Sequence, residues 1–492
     1  MRKRSSTKSI RNLGMKGLFS LILILGGITY SLDADAQKAL SLDSCRSMAL
    51  RNNRQMGVAR VKREMARNMR KSARTKYLPQ INASGAYIYT SKQVSILSDE
   101  QKQALGNMGT AAGQVFAQMG LPNTDVLAGM LNGVGSGIVD AFHTDNRNMF
   151  AASLMLTQPV FMGGSIIAMN KMADLGEDMA ANQAEATTQA TLYSIDNAYW
   201  TVVSLKHKKR LAESYLNLVK KLDGDVGKMI REGVATRADG LKVSVKVNEA
   251  EMTLTQVEDG LALAKMLLCQ LCGIDVNKDI TLADEDNDHL ATEIDAITAD
   301  IDSQEKTAGD NRPELKMLQN AVDISKQAVN VAKAGHMPKV MLTGGYTATN
   351  PNVYNGFQRS FAGVWNVGVM VTVPVWNWND VTYKVRAAKN QMVIASLELN
   401  DVREKIDLQV NQCNFKVNEA AKKLRLATAS TARAEENLRC ANLGFREGVM
   451  LSTDVMEAQT AWLQAQSQKI DAEIDVKLSQ VNLQKALGTL HE

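Results

Sequence analysis

The tetrapeptide Arg-Glu-Gly-Val at residues 231–234 recurs unchanged at residues 446–449. In each copy a long stretch without proline precedes it, an aspartate follows six residues after its glycine, and a second periodic stretch comes next. This pattern predicts a long helix, a tight turn and a returning helix. At ~1.5 Å per residue, the roughly 60 to 70 residues before each turn make a rod of about 100 Å. Such a rod is longer than a compact domain needs.

The repeat covers most of the chain. A constant shift of 215 residues, the difference between Pro374 and Pro159, holds without a gap from these prolines to the end. Upstream the shift is 259 residues and places Pro79 on Pro338. The difference of 44 residues is one insertion, which lies between about residues 89 and 148. Two constant shifts with proline, glycine and aspartate in register indicate an internal duplication.

The amino terminus has the features of a secretory signal peptide. Six basic residues precede an apolar run from Gly17 to Tyr30, and Ala34-Asp35-Ala36 follows. We expect residues 1–36 to be removed, because an apolar run of 14 residues is shorter than the roughly 20 that span a bilayer. The alternative is an uncleaved membrane anchor. Without residues 1–36 the chain has 51 basic and 50 acidic residues, which excludes a basic nucleic-acid-binding protein.

Cysteine and histidine give no sign of an enzyme. The five cysteines are too few and too scattered for a disulfide framework. Cys269 and Cys272 have the spacing of a redox or zinc pair, but they end a predicted helix, so two small apolar residues are the favoured interpretation. The five histidines have no metal-ligand spacing, and the chain has no glycine-rich phosphate loop. We therefore expect no catalysis, no cofactor and no resident metal.

Four segments alternate apolar and polar residues with the period of two that is typical of strands. They lie near residues 81–89, 150–157, 340–346 and 365–372. Each has one apolar face, and tyrosine or tryptophan stands near the ends, as in outer-membrane β-barrels. The alternative is a soluble sheet packed on the helices. The smallest barrels need about eight strands, and lipid tolerates no open sheet edge, so we expect three chains to share a twelve-stranded barrel.

The helical segments predict antiparallel coiled-coil packing. An amphipathic helix runs from Ser41 to about Lys76, capped by Asp43. The first returning helix keeps a strict three-four apolar spacing from Val247 to Leu268. An isolated helical hairpin accounts for this spacing equally well, and only the strands favour a ring of hairpins.

An acidic segment separates the two copies. Residues 273–310 contain twelve acidic and two basic side chains. Residues 284–288 resemble a calcium-binding loop, but the sixth position is His289 and the twelfth is Asp295, so a solvated linker or a short equatorial helix is favoured. The predicted order is a signal peptide (1–36), a first repeat (37–272) with a long hairpin loop at about 90–147 and a tip at about 231–240, the acidic connector (273–310), and a second repeat (311–492) with a tip at about 446–455.

At four places the sequence resembles the TolC family of outer-membrane efflux channels, the outer-membrane component of tripartite export systems. The matching motifs are Leu-Pro-Gln at 78–80, Gln-Pro-Val-Phe-x-Gly-Gly at 158–164, Gly448 followed by Asp-Val-Met at 454–456, and Ala-Leu-Gly-Thr-Leu at 486–490. The resemblance implies a mainly α-helical homotrimer with a membrane β-barrel portion. Its twelve-stranded barrel in the outer membrane continues as a twelve-helix tunnel across the periplasm.

The resemblance also assigns roles to the two tips. The turns at Gly233 and Gly448, with the neighbouring Arg231 and Arg446, form the inner entrance and dock with a periplasmic adaptor and an inner-membrane pump. The positions of inward carboxylates that constrict this entrance correspond to Asp239, Asp454 and Glu457, and the position of an aromatic gate corresponds to Phe445. Met450 stands where some members have a gating arginine.

The carboxylates have a local explanation too. Asp239 and Asp454 begin the returning helices, and Asp454 with Glu457 resembles a capping box. Capping is compatible with a cation-favouring ring of carboxylates at the narrowest point.

The favoured function is a passive exit duct of an efflux pump. A duct for type I protein secretion is the alternative within the same class, and a periplasmic coiled-coil scaffold without a channel is the alternative from another class.

Overall fold

The computed structural model describes residues 39–93, 95–120, 124–143, 145, 147–287, 301–354 and 358–491. The predicted signal peptide and part of the acidic connector lie outside these ranges. Among the described residues, no helix is both long enough and apolar enough to cross a bilayer.

The described elements form two units of the same order. The first contains α1 (Leu42–Asn52), α2 (Arg54–Arg74), β1 (Gln80–Tyr89), α3 (Asp99–Gly106), α4 (Met108–Gln118), α5 (Thr124–Ala141), β2 (Asn148–Met162), α6 (Ser165–Arg231) and α7 (Arg237–Cys272). The second contains α8 (Ile301–Asn311), α9 (Pro313–Lys333), β3 (Lys339–Asn350), β4 (Ala362–Thr372), α10 (Asp380–Arg446) and α11 (Ser452–Leu487).

Equivalent helices of the two units have equal lengths. Helices α6 and α10 have 67 residues each, and α7 and α11 have 36 each. Helix α8 repeats α1 with 11 residues, and α9 repeats α2 with 21. The segment assigned to the connector therefore contains α8, at a place where a short helix was one of the two expected structures. Ala308 of α8 is fully buried, and Glu305 Oε1 accepts a hydrogen bond from Asn411 Nδ2 (2.8 Å) of α10.

The first helical segment is broken. Asn53 adopts an extended conformation, accepts a hydrogen bond from Gln55 N (2.7 Å) and donates one to the Leu271 carbonyl (3.0 Å). Ser41, not Asp43, caps α1. The predicted single helix from Ser41 to Lys76 was wrong because the end of α7, remote in sequence, supplies the partner that stabilises the break.

The described strands form one antiparallel sheet in the order β1-β2-β3-β4. The register places Leu154, Tyr346 and Trp365 in one row of the apolar face, and Ser84 bonds to Ser153 (2.7 Å) on the opposite face. The four predicted strands are confirmed. The apolar face is exposed, with Trp365 at 74 %, so the alternative of a sheet packed on the helices is wrong. Within the described residues, β1 and β4 each have one unpaired edge.

The long helices form one layer. Helix α6 packs on α2 and α7 at one side and on α9 and α11 at the other, and α10 packs on α9 and α11. The seam residues Ala250, Leu261 and Leu268 of α7 are buried against their neighbours, which confirms the predicted antiparallel coiled-coil contact. The two sides of the layer are therefore α10 and the pair α2 plus α7.

Both sides of the layer carry exposed apolar side chains. Five of those on α10 fall within about 60° of the helix circumference at 100° per residue, whereas Val393 and Leu443 lie outside this arc. We call these five the α10 stripe: Ile394, Leu397, Leu408, Phe415 and Leu426. The opposite side has a matching set, the α2/α7 stripe: Val58, Val61, Met65, Met69, Leu241, Val245, Met252 and Leu263.

The described part of the acidic connector docks on α6. Asp284 accepts a hydrogen bond from the Tyr199 hydroxyl (2.6 Å), Glu285 pairs with Lys206 (3.5 Å), and Asp286 pairs with Arg210. Burial and the bond to Asp284 raise the pKa of Tyr199 well above its usual range. Residues 284–286 are therefore bound to α6, and the other expected structure, a short helix, is present as α8.

Candidate functional site at the hairpin tips

The two tips have the same turn. Gly233 has φ +75° and Gly448 has φ +73°, a left-handed conformation that a residue with a Cβ rarely adopts. In the first tip Val234 N donates to the Met229 carbonyl (2.9 Å), and in the second Val449 N donates to the Gly444 carbonyl (2.8 Å). These bonds satisfy carbonyls that the end of a helix leaves unpaired. The geometry explains why the tetrapeptide requires glycine in both copies.

The aspartates after the turns belong to helix caps. Asp239 N donates to Thr236 Oγ1 (3.2 Å), and Thr236 N donates back to Asp239 Oδ2 (3.1 Å), which is a complete capping box. In the second copy Leu451 N donates to Asp454 Oδ2 (3.0 Å), and leucine offers no side-chain acceptor in return. Glu457 is exposed, one turn further along α11. The predicted box of Asp454 with Glu457 was wrong, because the cap is at residue 451.

The first carboxylate is stabilised as an anion. The hydrogen bonds from Thr236 lower the pKa of Asp239, and Lys242, 3.6 Å away, contributes further. The resulting stabilisation is present above the unfolded pKa of the carboxyl and is lost as the pH falls through the lower folded-state pKa. Asp239 is therefore charged at neutral pH.

Phe445 lies between the hairpins. Its half-buried ring packs on the core of the tip and lines a cavity of about 360 Å³ between α6 and α10. Arg446 and Leu222 line the same cavity, whereas Arg231 is exposed outside it. Gln459, only 2 % exposed, also faces the cavity, and its Oε1 has no hydrogen-bond partner. No sequence pattern marks Gln459, because a single glutamine in an apolar seam resembles any other helix residue.

Met450 folds back onto α10. Its Cγ and Sδ lie 2.9 Å from the place that a Cβ on Gly444 would occupy. A larger residue at position 444 would require the Met450 side chain to move. Met450 thus packs on its own hairpin at the position where the family resemblance allows a gating arginine.

The cysteine pair is a packing feature. Cys269 and Cys272 are buried in the core between α1, α6 and α7, and Cys272 Sγ lies 3.8 Å from the Cys45 carbonyl. Burial raises the pKa of the Cys269 thiol, which disfavours a reactive thiolate. Across the described residues, no group of three or more histidine, cysteine or acidic side chains could hold a metal ion.

The same end of the layer thus holds both glycine turns, both capped carboxylates and Phe445. One buried cluster joins the two tips and includes Val226 of α6, Val243 of α7 and Val455 of α11. The tips are therefore one packed unit with a cavity between α6 and α10.

Comparisons with known proteins agree with this architecture. The family model described as "Outer membrane efflux protein" matches residues 45–273 and 306–489. The outer membrane protein TolC of Vibrio cholerae is 22 % identical over 355 residues, which cover 70 % of this chain and 78 % of that protein. The proteases secretion protein PrtF of Dickeya chrysanthemi is 27 % identical over 180 residues, covering 36 % and 38 %.

A solved structure has the same fold. The outer membrane protein VceC of Vibrio cholerae superposes with a TM-score of 0.68 at 14 % identity, over 91 % of this chain and 96 % of that chain. Since the family model matches both units and the turns between their helices, the chain belongs to the outer membrane efflux protein family.

Proposed function

We propose that three copies of the chain form an outer-membrane channel that continues as a helical tunnel into the periplasm. The channel is the passive exit duct of a tripartite efflux pump, and its tips dock with a periplasmic adaptor and an inner-membrane pump. One observation carries the proposal. In the described residues the sheet has an unpaired strand at each edge, and the helical layer has an exposed apolar stripe on each side.

The sheet supports a position in lipid. Its exposed apolar face is suited to acyl chains, and aromatic side chains stand at both ends, Tyr87 and Phe150 at one and Trp376 and Trp378 at the other. Unpaired strand edges are not tolerated in lipid. Pairing β1 of one chain with β4 of the next, around three chains, closes a barrel of twelve strands.

The helices support the same ring. The α10 stripe runs along one side of the layer, and the α2/α7 stripe runs along the other. Helix α10 has 67 residues, close to the combined length of α2 and α7, which have 21 and 36. Apposing the two stripes buries both, and repeating the contact three times gives a tunnel of twelve helical positions around its circumference.

The direction of the tunnel follows from the chain path. The tips are separated from the sheet by the length of α6, roughly 100 Å at ~1.5 Å per residue. With the sheet in the outer membrane, the tips reach deep into the periplasm, where an adaptor and a pump are accessible.

We expect the purified protein to migrate as a trimer in mild detergent, to dissociate on heating, and to conduct ions in planar bilayers. A blue-native gel, heat-modifiable migration on a denaturing gel and single-channel recording measure these properties. Recovery as a water-soluble periplasmic protein would instead favour the coiled-coil scaffold, and a monomer with its sheet edges paired internally would refute the duct.

We expect the tip carboxylates to make the channel cation-selective. The double variant Asp239→Asn/Asp454→Asn retains the oxygens that accept the capping bonds and removes six charges from a trimer. We expect this variant to lose its preference for cations over anions, so that its reversal potential in a salt gradient moves toward zero. The matched control Glu232→Gln/Glu447→Gln changes two exposed carboxylates beside the turns. Unchanged selectivity in the aspartate variant leaves capping as the only role.

The likeness to PrtF supports a second candidate, a duct for protein secretion. Deleting the gene separates the two: increased sensitivity to small toxic compounds supports efflux, and loss of specific proteins from the medium supports secretion.

A further inference from the structure

The insertion between β1 and β2 forms a helical subdomain. The sequence predicts a long loop without a sustained period, but the described residues contain α3, α4 and α5. They follow the end of β1 that is remote from the long helices, because β1 starts beside α2 and ends at Tyr89. If the sheet crosses the outer membrane, the insertion lies outside the cell.

Glycines make this subdomain tightly packed. A Cβ on Gly109 would lie 2.0 Å from the Ala128 carbonyl oxygen, and one on Gly135 would lie 1.8 Å from the Leu105 carbonyl oxygen. The Asn132 side chain accepts a bond from Gly109 N (2.7 Å), which fixes α5 against the start of α4. Small residues at these contacts carry little hydropathy signal, which is why the helices escaped the sequence pattern.

The subdomain has few charged residues, and several large apolar side chains are exposed on its surface. The chain has no charged side chain from Gln103 to Thr124 or from Val126 to Val139. Six large apolar side chains of α4 and α5 are exposed, with Met130 at 67 %: Met108, Val115, Val126, Leu127, Met130 and Val134. A helix in water normally has a polar outer face, so this surface indicates a partner.

The stem of the insertion is anchored at the rim of the sheet. Thr90 N donates to the Arg147 carbonyl (2.8 Å), which extends the β1–β2 pairing by one bond. Arg147 pairs with Asp145 (2.9 Å), and Arg359 from the β3–β4 loop lies 3.8 Å from the same carboxylate. These ion pairs hold the subdomain at the end of the sheet.

The sheet edge identifies the partner. Strand β1 is one of the two edges that the proposed trimer pairs between chains, and it leads directly into α3. Each chain has one such insertion, so a threefold ring places three uncharged subdomains around a single mouth. In such a ring each subdomain has two identical neighbours, and their uncharged apolar surfaces suit its own.

We propose that the three insertions pack their apolar surfaces against one another and form a cap that narrows the outer mouth of the channel. The proposal rests on the proposed trimeric duct. The occupant of the Val126–Met130–Val134 surface of α5 is a second copy of the same subdomain.

The first test removes the cap. Residues 95–143 are replaced by a short Gly-Ser turn in the full chain. Single-channel conductance then rises by about twofold or more, because the narrowest part of a water-filled pore dominates its resistance. The variant Val126→Glu/Met130→Glu has the same effect through repulsion between copies. The matched control Gln103→Glu/Ala104→Glu places two carboxylates on exposed positions of α3 and leaves conductance unchanged.

The second test detects the contact directly. In a Cys440→Ser background, which removes the exposed native thiol, Met130→Cys is treated with a short bis-maleimide. We expect linked dimers and trimers, whereas Gln103→Cys stays monomeric on a denaturing gel. The alternative occupant of this surface is lipid, which a lipid-soluble thiol reagent detects in proteoliposomes. Selective labelling of Met130→Cys without cross-linking would assign the surface to lipid and refute the cap.

The two proposals fail differently. If the unaltered protein forms no conducting trimer, the duct fails and the cap with it. If conducting trimers form, but the deletion leaves conductance unchanged and Met130→Cys yields no cross-link, the cap alone is refuted.

Discussion

Replacing Leu408 and Phe415 together by glutamate is expected to abolish trimer assembly and export. Both side chains belong to the α10 stripe, and Phe415 is 76 % exposed in the single chain, so the fold of one chain tolerates the change. In the proposed trimer both side chains are buried, and each contributes about 1.5–3 kcal/mol to the free energy of association. Losing two of them at each of three interfaces, and burying unpaired carboxylates as well, lowers the trimer population by more than ~100-fold. Blue-native electrophoresis and susceptibility of cells to exported compounds measure the two effects.

The neighbouring Lys416 supplies the matched control. It is exposed, but it lies outside the stripe on the helix circumference. Lys416→Glu adds negative charge next to Phe415 and is expected to leave the trimer intact. Normal trimer yield in the Leu408→Glu/Phe415→Glu variant would show that α10 is not an inter-chain surface.

Replacing Arg46 by alanine is expected to destabilise the folded chain by about 3 to 5 kcal/mol. Its guanidinium donates two hydrogen bonds to Asp196, Nε to Oδ1 at 2.8 Å and Nη2 to Oδ2 at 2.6 Å. Asp196 is fully buried, and its hydrogen bond raises the pKa of Arg46. Without the arginine, an uncompensated charge remains in the core between α1 and α6. Denaturant unfolding followed by tryptophan fluorescence detects the loss, because Trp200 lies in the same core.

Two further variants test this explanation. Asp43 lies 3.9 Å from Arg46, and its side chain is 90 % exposed. Because water screens the attraction between these two charges, Asp43→Ala is expected to change the free energy of unfolding little. Arg46→Ala/Asp196→Ala removes both charges and is expected to be more stable than Arg46→Ala alone. A double variant that is equally unstable would indicate that lost packing, not the orphaned carboxylate, is responsible.

The local patterns of the chain determined the repeated elements. The constant shifts of the duplication predict paired helices, and the structure has pairs of equal length, down to α6 and α10 with 67 residues each. The alternation of residues predicts four strands with one apolar face, which the register confirms. The glycines at 233 and 448 mark the turns, because the left-handed backbone there is a requirement of the residue itself. These features depend on neighbours within a few positions, so a sequence displays them directly.

Only the tertiary structure decided the features that depend on distant residues. Asn53 breaks a helix because a carbonyl at the end of α7 accepts its side chain. The insertion folds into helices through contacts of Gly109 and Gly135 that have no periodic signal. The carboxylates of the connector face Tyr199, Lys206 and Arg210 of α6, whose proximity no spacing reveals. The order of helices in the layer also decides whether an apolar stripe is buried within the chain or left exposed for a partner. The sequence does not show the difference, since the hydropathy of a side chain is the same in a buried stripe and in an exposed one.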